Sequence, residues 1–282
     1  MHRFDVVKAE SIGGRPHMED FGFASKFETN DANRSYAFGV FDGHNGGSVA
    51  RACNQFFSRK LLELTRTDGA SAAGLAGAVA SSFAYLDAVM AGRFPVDCGA
   101  TATVAIDYCV DTPLLRNDRY LVAANAGDSR AIVLRDLLST DAATKIEQLT
   151  VDHRPSEPAE KDRILAAGGT ITYGDCPRIL GALNVSRTLG DWYLRPYATS
   201  VPHVYVTRAL GKDDLLVLAT DGIWDALDNR QVAFECRNAF AHHRRGQDQA
   251  LHRAAEALHA RSRAAGSTDN ATVLLAAAAS HF

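Results

Sequence analysis

The stretch that most constrains this chain is Phe38-Gly39-Val40-Phe41-Asp42-Gly43-His44. Its alternation predicts a β-strand, with Phe38, Val40 and Asp42 on one face and Ala37, Gly39 and Phe41 on the other. A carboxylate then sits where a buried strand runs out. Ionised and unpaired at the edge of a core, it carries a desolvation cost that something cationic has to offset. A metal ion is the usual answer. Gly43 lets backbone approach a ligand closely and can expose its carbonyl as an oxygen donor. His44 is a proton donor near neutral pH. Taken alone, the same residues also suit a strand ending in a polar turn, so the rest of the chain has to decide.

The 282 residues are 46% hydrophobic and 22% charged, an ordinary globular composition. No linker, low-complexity tract or repeat divides them, so one domain over 1–282 is expected. The net charge of -3 argues against nucleic acid as the main partner. Five cysteines form no C-x-x-C pair, as expected of reduced thiols inside a cell. The N-terminus lacks an apolar signal core, and position 2 is not glycine. No apolar run approaches the roughly 20 residues that span a bilayer. The expectation is a monomer, not membrane-bound, in the cytoplasm or nucleus.

Val6–Ser11, Phe21–Phe27, Tyr36–Asp42, Thr101–Tyr108, Arg119–Ala126, Ala131–Leu137, Leu215–Ala219 and a last segment from Ala271 read as strands. Helices are expected after Asn45 as a cap, from Ser71 to about Met90, over Pro155–Ala167 with Gly168-Gly169 as its stop, and over Asn229–Phe240 and Ala250–Arg263. Ile171 to about Pro202 reads as a loop-rich flap. Strand-rich and helical blocks without regular alternation predict an α+β fold.

Several acidic residues share one context. Asp42 and Asp221 end apolar strands, Asp128 follows one, Asp269 precedes one, and Glu19 and Asp20 lie in a turn. Strand ends of one sheet system can gather on a single edge. Carboxylates without His or Cys partners favour Mg²⁺ or Mn²⁺ over zinc. Two such ions suit phosphoryl chemistry. Arg15 could grip a phosphate with its planar fork, and His44 could protonate a leaving oxygen.

These residues carry a resemblance. Arg15-Pro16-His17-Met18-Glu19-Asp20, Phe41-Asp42-Gly43-His44, Cys98-Gly99-Ala100-Thr101, Gly127-Asp128-Ser129-Arg130, Asp152-His153-Arg154-Pro155, Val185-Ser186-Arg187 with Gly190-Asp191, Ala219-Thr220-Asp221-Gly222-Ile223-Trp224-Asp225 and Asp269-Asn270 occur in order across nearly the whole chain. Together they resemble the metal-dependent protein serine/threonine phosphatases of type 2C. The resemblance implies a four-layer α-β-β-α sandwich with two antiparallel-rich central sheets and a small flap at roughly 173–202. It implies hydrolysis of phosphoserine and phosphothreonine in protein substrates by a metal-activated water. Asp42 would bridge two Mg²⁺ or Mn²⁺ ions and Gly43 would offer its carbonyl. Asp221 and Asp269 would complete one ion, with Glu19 and Asp20 serving the other. Asp128 and Asp225 match a weaker third site. Arg15 would bind the substrate phosphate, and His44 would be the general acid. The flap departs from the family in carrying Asn184 where alanine is usual.

The bland readings stand beside these. Arg15 could pair with Glu19 or Asp20, and Asp128 with an arginine. Cys53 and Arg59 have the spacing of thiol phosphatases, but no glycine lies between them and Cys53 falls on an apolar helical stripe. Trp224 reads as core. His242-His243-Arg244-Arg245, with His252, Arg253, His259, Arg261 and Arg263, reads as a solvated basic face. The alternative function is a catalytically silent phosphatase-like binding protein, but such a chain should have lost a ligand, and none of the set is missing here.

Overall fold

The computed structural model describes residues 4–30, 33–68, 71–110, 118–139, 143–241 and 246–279. The chain opens with β1 (Phe4–Ser11), β2 (Phe21–Asn30), β3 (Asn33–Phe41) and the short β4 (Gly43–His44). Helices α1 (Ser48–Asp68) and α2 (Ala72–Met90) follow. Next come β5 (Gly99–Ala100), β6 (Ala102–Val110), β7 (Asp118–Ala126), β8 (Arg130–Arg135) and β9 (Lys145–Gln148). Helix α3 (Pro158–Ala166) leads to β10 (Ile171–Tyr173), β11 (Pro177–Ile179), β12 (Leu189–Gly190), β13 (His203–Arg208) and β14 (Leu215–Ala219). The chain continues through α4 (Asp221–Trp224), α5 (Asn229–Ala241), α6 (Gln247–Ala264) and β15 (Ala271–Ala278).

Two five-stranded sheets, β1-β15-β14-β8-β9 and β13-β7-β6-β3-β2, pack face to face with antiparallel pairing throughout. Side chains alternate between two environments. On β3, Phe38 and Val40 enter the core between the sheets, while Ala37 and Phe41 enter the core beneath α1 and α2. On β14, Leu216 and Leu218 face the opposite sheet, while Leu215, Val217 and Ala219 face α5 and α6. All five residues of β14 are buried, which is why its sequence is apolar without alternation. Helices α1 and α2 cover one sheet through Phe57, Leu61, Val79 and Phe83. Helices α5 and α6 cover the other through Val232, Cys236, Leu251 and Leu258. The expected four-layer α+β sandwich is the observed one.

Two local expectations are corrected. Asn45 does not cap α1: its φ is 53° and its side chain donates to the Asp97 carbonyl, while the helix begins at Ser48. Helix α3 starts at Pro158 rather than Pro155, because Pro158 takes a first-turn position where a missing N–H costs nothing. Helix α2 is long and apolar enough, by length and composition, to cross a membrane. In this fold its apolar residues Leu75, Val79, Phe83, Leu86 and Met90 are spent on the core instead.

The flap also divides. The hairpin β10-β11 and the residues to Val185 pack on α3 around Ile164, Ile179 and Leu183, a small core of their own. Residues 186–191 instead run beneath the main site. There β12 pairs with β5, which pairs with β4.

Phe38 is fully buried between the sheets, at 0% exposure. Phe38→Ala removes that filling and leaves a cavity, with an expected loss of about 3–5 kcal/mol of unfolding free energy. Urea denaturation checks this; a loss below about 1 kcal/mol would mean that the sheets close over the gap.

Candidate active site

Strand ends from both sheets converge on a cavity of about 370 Å³. Its walls include Arg15, Glu19, Asp42, Gly43, His44, Asp128, Asp221 and Asp269. The topology explains the gathering. Asp42 is the first residue past β3, and Asp221 begins α4 after Thr220, the one residue that separates it from β14. Asp128 lies in the β7–β8 turn, and Asp269 stands just before β15. The β1–β2 turn, which carries Arg15 and Glu19, is tied to the last segment by several hydrogen bonds. Gly14 N–H donates to Thr268 O at 2.8 Å, and Glu19 N–H donates to Asn270 Oδ1 at 2.8 Å.

The carboxylates raise one another's proton affinity. Burial, then the charges of Asp221, Asp20 and Asp128, push Asp42 well above the ordinary carboxylate range. Burial and the neighbouring Asp225 raise Asp221 to about 7. Burial and Asp221 raise Asp128 to about 8, against the opposing pull of Arg154. Burial raises Asp20 to about 6, although Thr220 donates to its Oδ2 at 2.8 Å. Such a cluster binds protons or cations to relieve itself.

The residues fit a hard divalent cation. The donor set is all oxygen. Asp20 Oδ1 and Asp128 Oδ1 are buried without a hydrogen-bond partner. A side chain at Gly43 would put its Cβ 2.6 Å from the Glu19 carbonyl, so backbone packs there as only glycine allows. Among the described residues, no three Asp, Glu, His or Cys groups already stand close enough together to hold an ion. Arginines occupy part of the set instead. Arg15 Nη2 lies 2.6 Å from Asp269 Oδ2, and Arg154 pairs with Asp128 at 3.1 Å and with Asp225.

His44 is held by a residue to which the sequence reading gave no role. Its Nε2 lies 2.7 Å from Asp191 Oδ2. Asp191 is fully buried, in left-handed backbone with φ 48°, and Thr188 Oγ1 lies 2.9 Å from the same oxygen. With a carboxylate as partner, the ring carries its proton on Nε2.

The comparisons with known proteins bear on this geometry. The family model described as Protein phosphatase 2C matches residues 4–271. This chain belongs to the protein phosphatase 2C family. It is 36% identical over 239 residues to the probable protein phosphatase 2C 78 of Arabidopsis thaliana, covering 78% of this chain and 54% of that protein. It is 33% identical to the probable protein phosphatase 2C 68 of Oryza sativa subsp. japonica, covering 95% of this chain and 76% of that protein. The chain spans about half the length of several curated relatives, as the 53% and 56% covered of two further Oryza sativa proteins show. The solved structure titled as a C. elegans sex determining protein superposes with TM-score 0.79 at 25% identity, covering 96% of this chain and 64% of that one. A phosphatase from Toxoplasma gondii gives TM-score 0.79 at 22% identity, covering 99% of this chain and 95% of that one, which speaks for the fold.

Within this protein phosphatase 2C fold the other candidates fall as follows. Asp20 is buried behind the cavity wall rather than lining it. Asp225 lines an adjoining cavity of about 340 Å³ together with Asp221 and Asp269. Thr101 lines the main cavity; its N–H donates to Asp42 O at 2.9 Å, and its Oγ1 lies 2.7 Å from Ser129 Oγ. Cys53 is fully buried in the core under α1, and burial pushes its thiol far up, which excludes a thiolate nucleophile. Trp224 is core, donating to Ala219 O at 2.8 Å under the Arg130 guanidinium. His259 leaves the predicted solvated face: it is buried and its Nε2–H donates to Ala271 O at 3.1 Å. Residues 242–245 lie outside the described residues.

The raised carboxylates fix the sign of a pH effect. A proton kept in the folded state stabilises it at low pH. That stability is lost as pH rises from the ordinary 3.8 of Asp128 through its folded value of about 8. The chelated protein is expected to lose melting temperature across this range, with a shallower loss in Asp128→Asn and recovery on adding Mg²⁺ or Mn²⁺. Scanning calorimetry at several pH values reads it, and an equal slope in wild type and variant would count against the crowding.

Proposed function

We propose that this chain hydrolyses phosphoserine and phosphothreonine in proteins, in a reaction dependent on Mg²⁺ or Mn²⁺. The observation that carries the reading is the meeting of Arg15, His44 and the carboxylate cluster on one cavity. Asp42, the Gly43 carbonyl, Asp221, Asp269 and Glu19, with Asp20 behind, would hold two ions, and Asp128 with Asp225 a weaker third. When bound, these ions supply positive charge for the phosphate oxygens and lower the pKa of a water. Arg15, 57% exposed along its side chain, can present its fork to a phosphate dianion once released from Asp269. His44 acts as the imidazolium: its Nδ1–H delivers a proton to the seryl or threonyl oxygen as the P–O bond breaks, while Nε2–H stays on Asp191, which steadies the ring. Asn184 and Val185 of the flap form part of the cavity wall, where a bound peptide would lie.

The names of the relatives, protein phosphatases, support phosphoprotein substrates. All five cysteines are free, which supports a reducing cytoplasmic or nuclear setting. We propose a monomer.

Phosphate release from a phosphothreonine peptide, with Mn²⁺, with Mg²⁺ and with chelator, tests the reading. Release is expected with either metal and not with chelator, and Asp42→Ala is expected to abolish it. Undiminished release with chelator or in Asp42→Ala would overturn the metal assignment.

His44→Ala is expected to slow phosphopeptide turnover by about 10²–10⁴-fold. It should slow an aryl phosphate, whose leaving oxygen needs little protonation, far less. Asp191→Asn is expected to show the same selectivity in weaker form. Equal losses on both substrates would remove the general-acid role.

A further inference from the structure

A second cavity, of about 290 Å³, lies on the outer seam of α1 and α2 and shares no residue with the catalytic one. Its floor is apolar and aromatic. Phe56 is 48% exposed and Tyr85 46% exposed, with Phe94 beside them. Exposed large apolar groups collected in one concavity are a common mark of an interaction site. Phe94 packs against the core, but Phe56 and Tyr85 stand outside it, since α1 and α2 turn Phe57, Leu61, Phe83 and Leu86 inward.

The rim of this groove is cationic. Arg59, Lys60 and Arg93 stand around it, against a single acid, Glu63. Glu63 is already taken by Lys60 at 2.9 Å, and the Lys60 ammonium sits 3.8 Å over the Tyr85 ring. Arg59 and Arg93 make no ion pair with any described residue. A local excess of positive charge on a chain of net charge -3 is not a by-product of composition. The volume lies at the lower end of the roughly 300–1,000 Å³ of small-molecule pockets, enough for two side-chain anchors rather than a large cofactor.

We propose that the α1–α2 groove docks an acidic amphipathic peptide segment of a partner protein. Two large apolar side chains would enter beside Phe56 and Tyr85, and flanking carboxylates would meet Arg59 and Arg93. This is the helix-in-groove mode, with charge setting the orientation. The inference goes beyond the proposed activity and does not depend on it.

The test is selection from a random twelve-residue displayed peptide library against the whole chain, with counter-selection on the double variant Phe56→Ala/Arg93→Glu. Both positions are exposed, and circular dichroism confirms that the variant is folded. Selected peptides are expected to carry several Asp or Glu residues around two large apolar ones. The synthesised peptides are expected to bind the variant at least tenfold more weakly in fluorescence anisotropy, and to weaken with added salt. Turnover of an aryl phosphate should be the same in both proteins. Three results would overturn the proposal. One is peptides without that composition, or with equal affinity for both proteins. Another is sedimentation with phosphatidylserine vesicles that the double variant abolishes, which would assign the groove to a membrane. The third is a concentration-dependent dimer that the variant abolishes, which would assign it to a second copy.

Discussion

Mutual repulsion among carboxylates at one edge of the sandwich is the constraint on which the rest of the site depends. Asp42, Asp128 and Asp221 are each driven toward the protonated form by burial and by neighbouring carboxylates. Nothing in their own strands relieves this. The relief visible in the protein comes from elsewhere in sequence: Arg15 reaches Asp269, and Arg154 reaches Asp128 and Asp225. The site is therefore poised between protons, arginines and added cations as three ways of meeting one electrostatic demand. In the proposed reaction, the arginine already pointing into the cluster is also the one offered to the phosphate. The forces that crowd the carboxylates favour hard positive charge beside them, as the two arginines show.

How far the chain announces this varies by element. Leu215–Ala219 was legible because a strand buried on both faces has to be continuously apolar and because Asp221 follows at once. The α-β-β-α order follows from alternation on β3, where odd and even residues enter different cores. The carboxylates were legible for the same reason, as charges stranded where apolar runs stop. Asn45 misled because cap chemistry is local, whereas its side chain is drawn to Asp97 O across the site. Residues 186–191 misled because glycines and polar residues look like a surface loop. They are buried because β12 finds its partners in β5, some ninety residues earlier in the chain.

Asp191 shows the limit most clearly. Its motif was visible, but its role was not, because the partner is His44 across the small β12-β5-β4 ladder. No spacing rule relates two positions brought together by two-residue strands. The approach depends on Gly99, where an added Cβ would stand 2.0 Å from Asp191 Oδ2 and 2.6 Å from His44 Nε2. The glycine is thus a vacancy required by the pair rather than a turn signal.

The ladder in turn hangs from α2. Asp87 accepts the Gly190 N–H at 2.8 Å and the Arg195 guanidinium at 2.9 Å, and Arg195 also reaches the carbonyls of Thr188 and Gly190. These bonds fix the backbone on both sides of Leu189 and set the residue preceding Asp191. The outer seam of α2 carries the cationic, aromatic groove, and its inner residue Asp87 carries the segment that positions His44. One helix thus offers a surface to a partner and a foothold to the catalytic ladder. Through Asp87, α2 holds Gly190 in place, and Asp191 follows it directly with its carboxylate on the His44 ring.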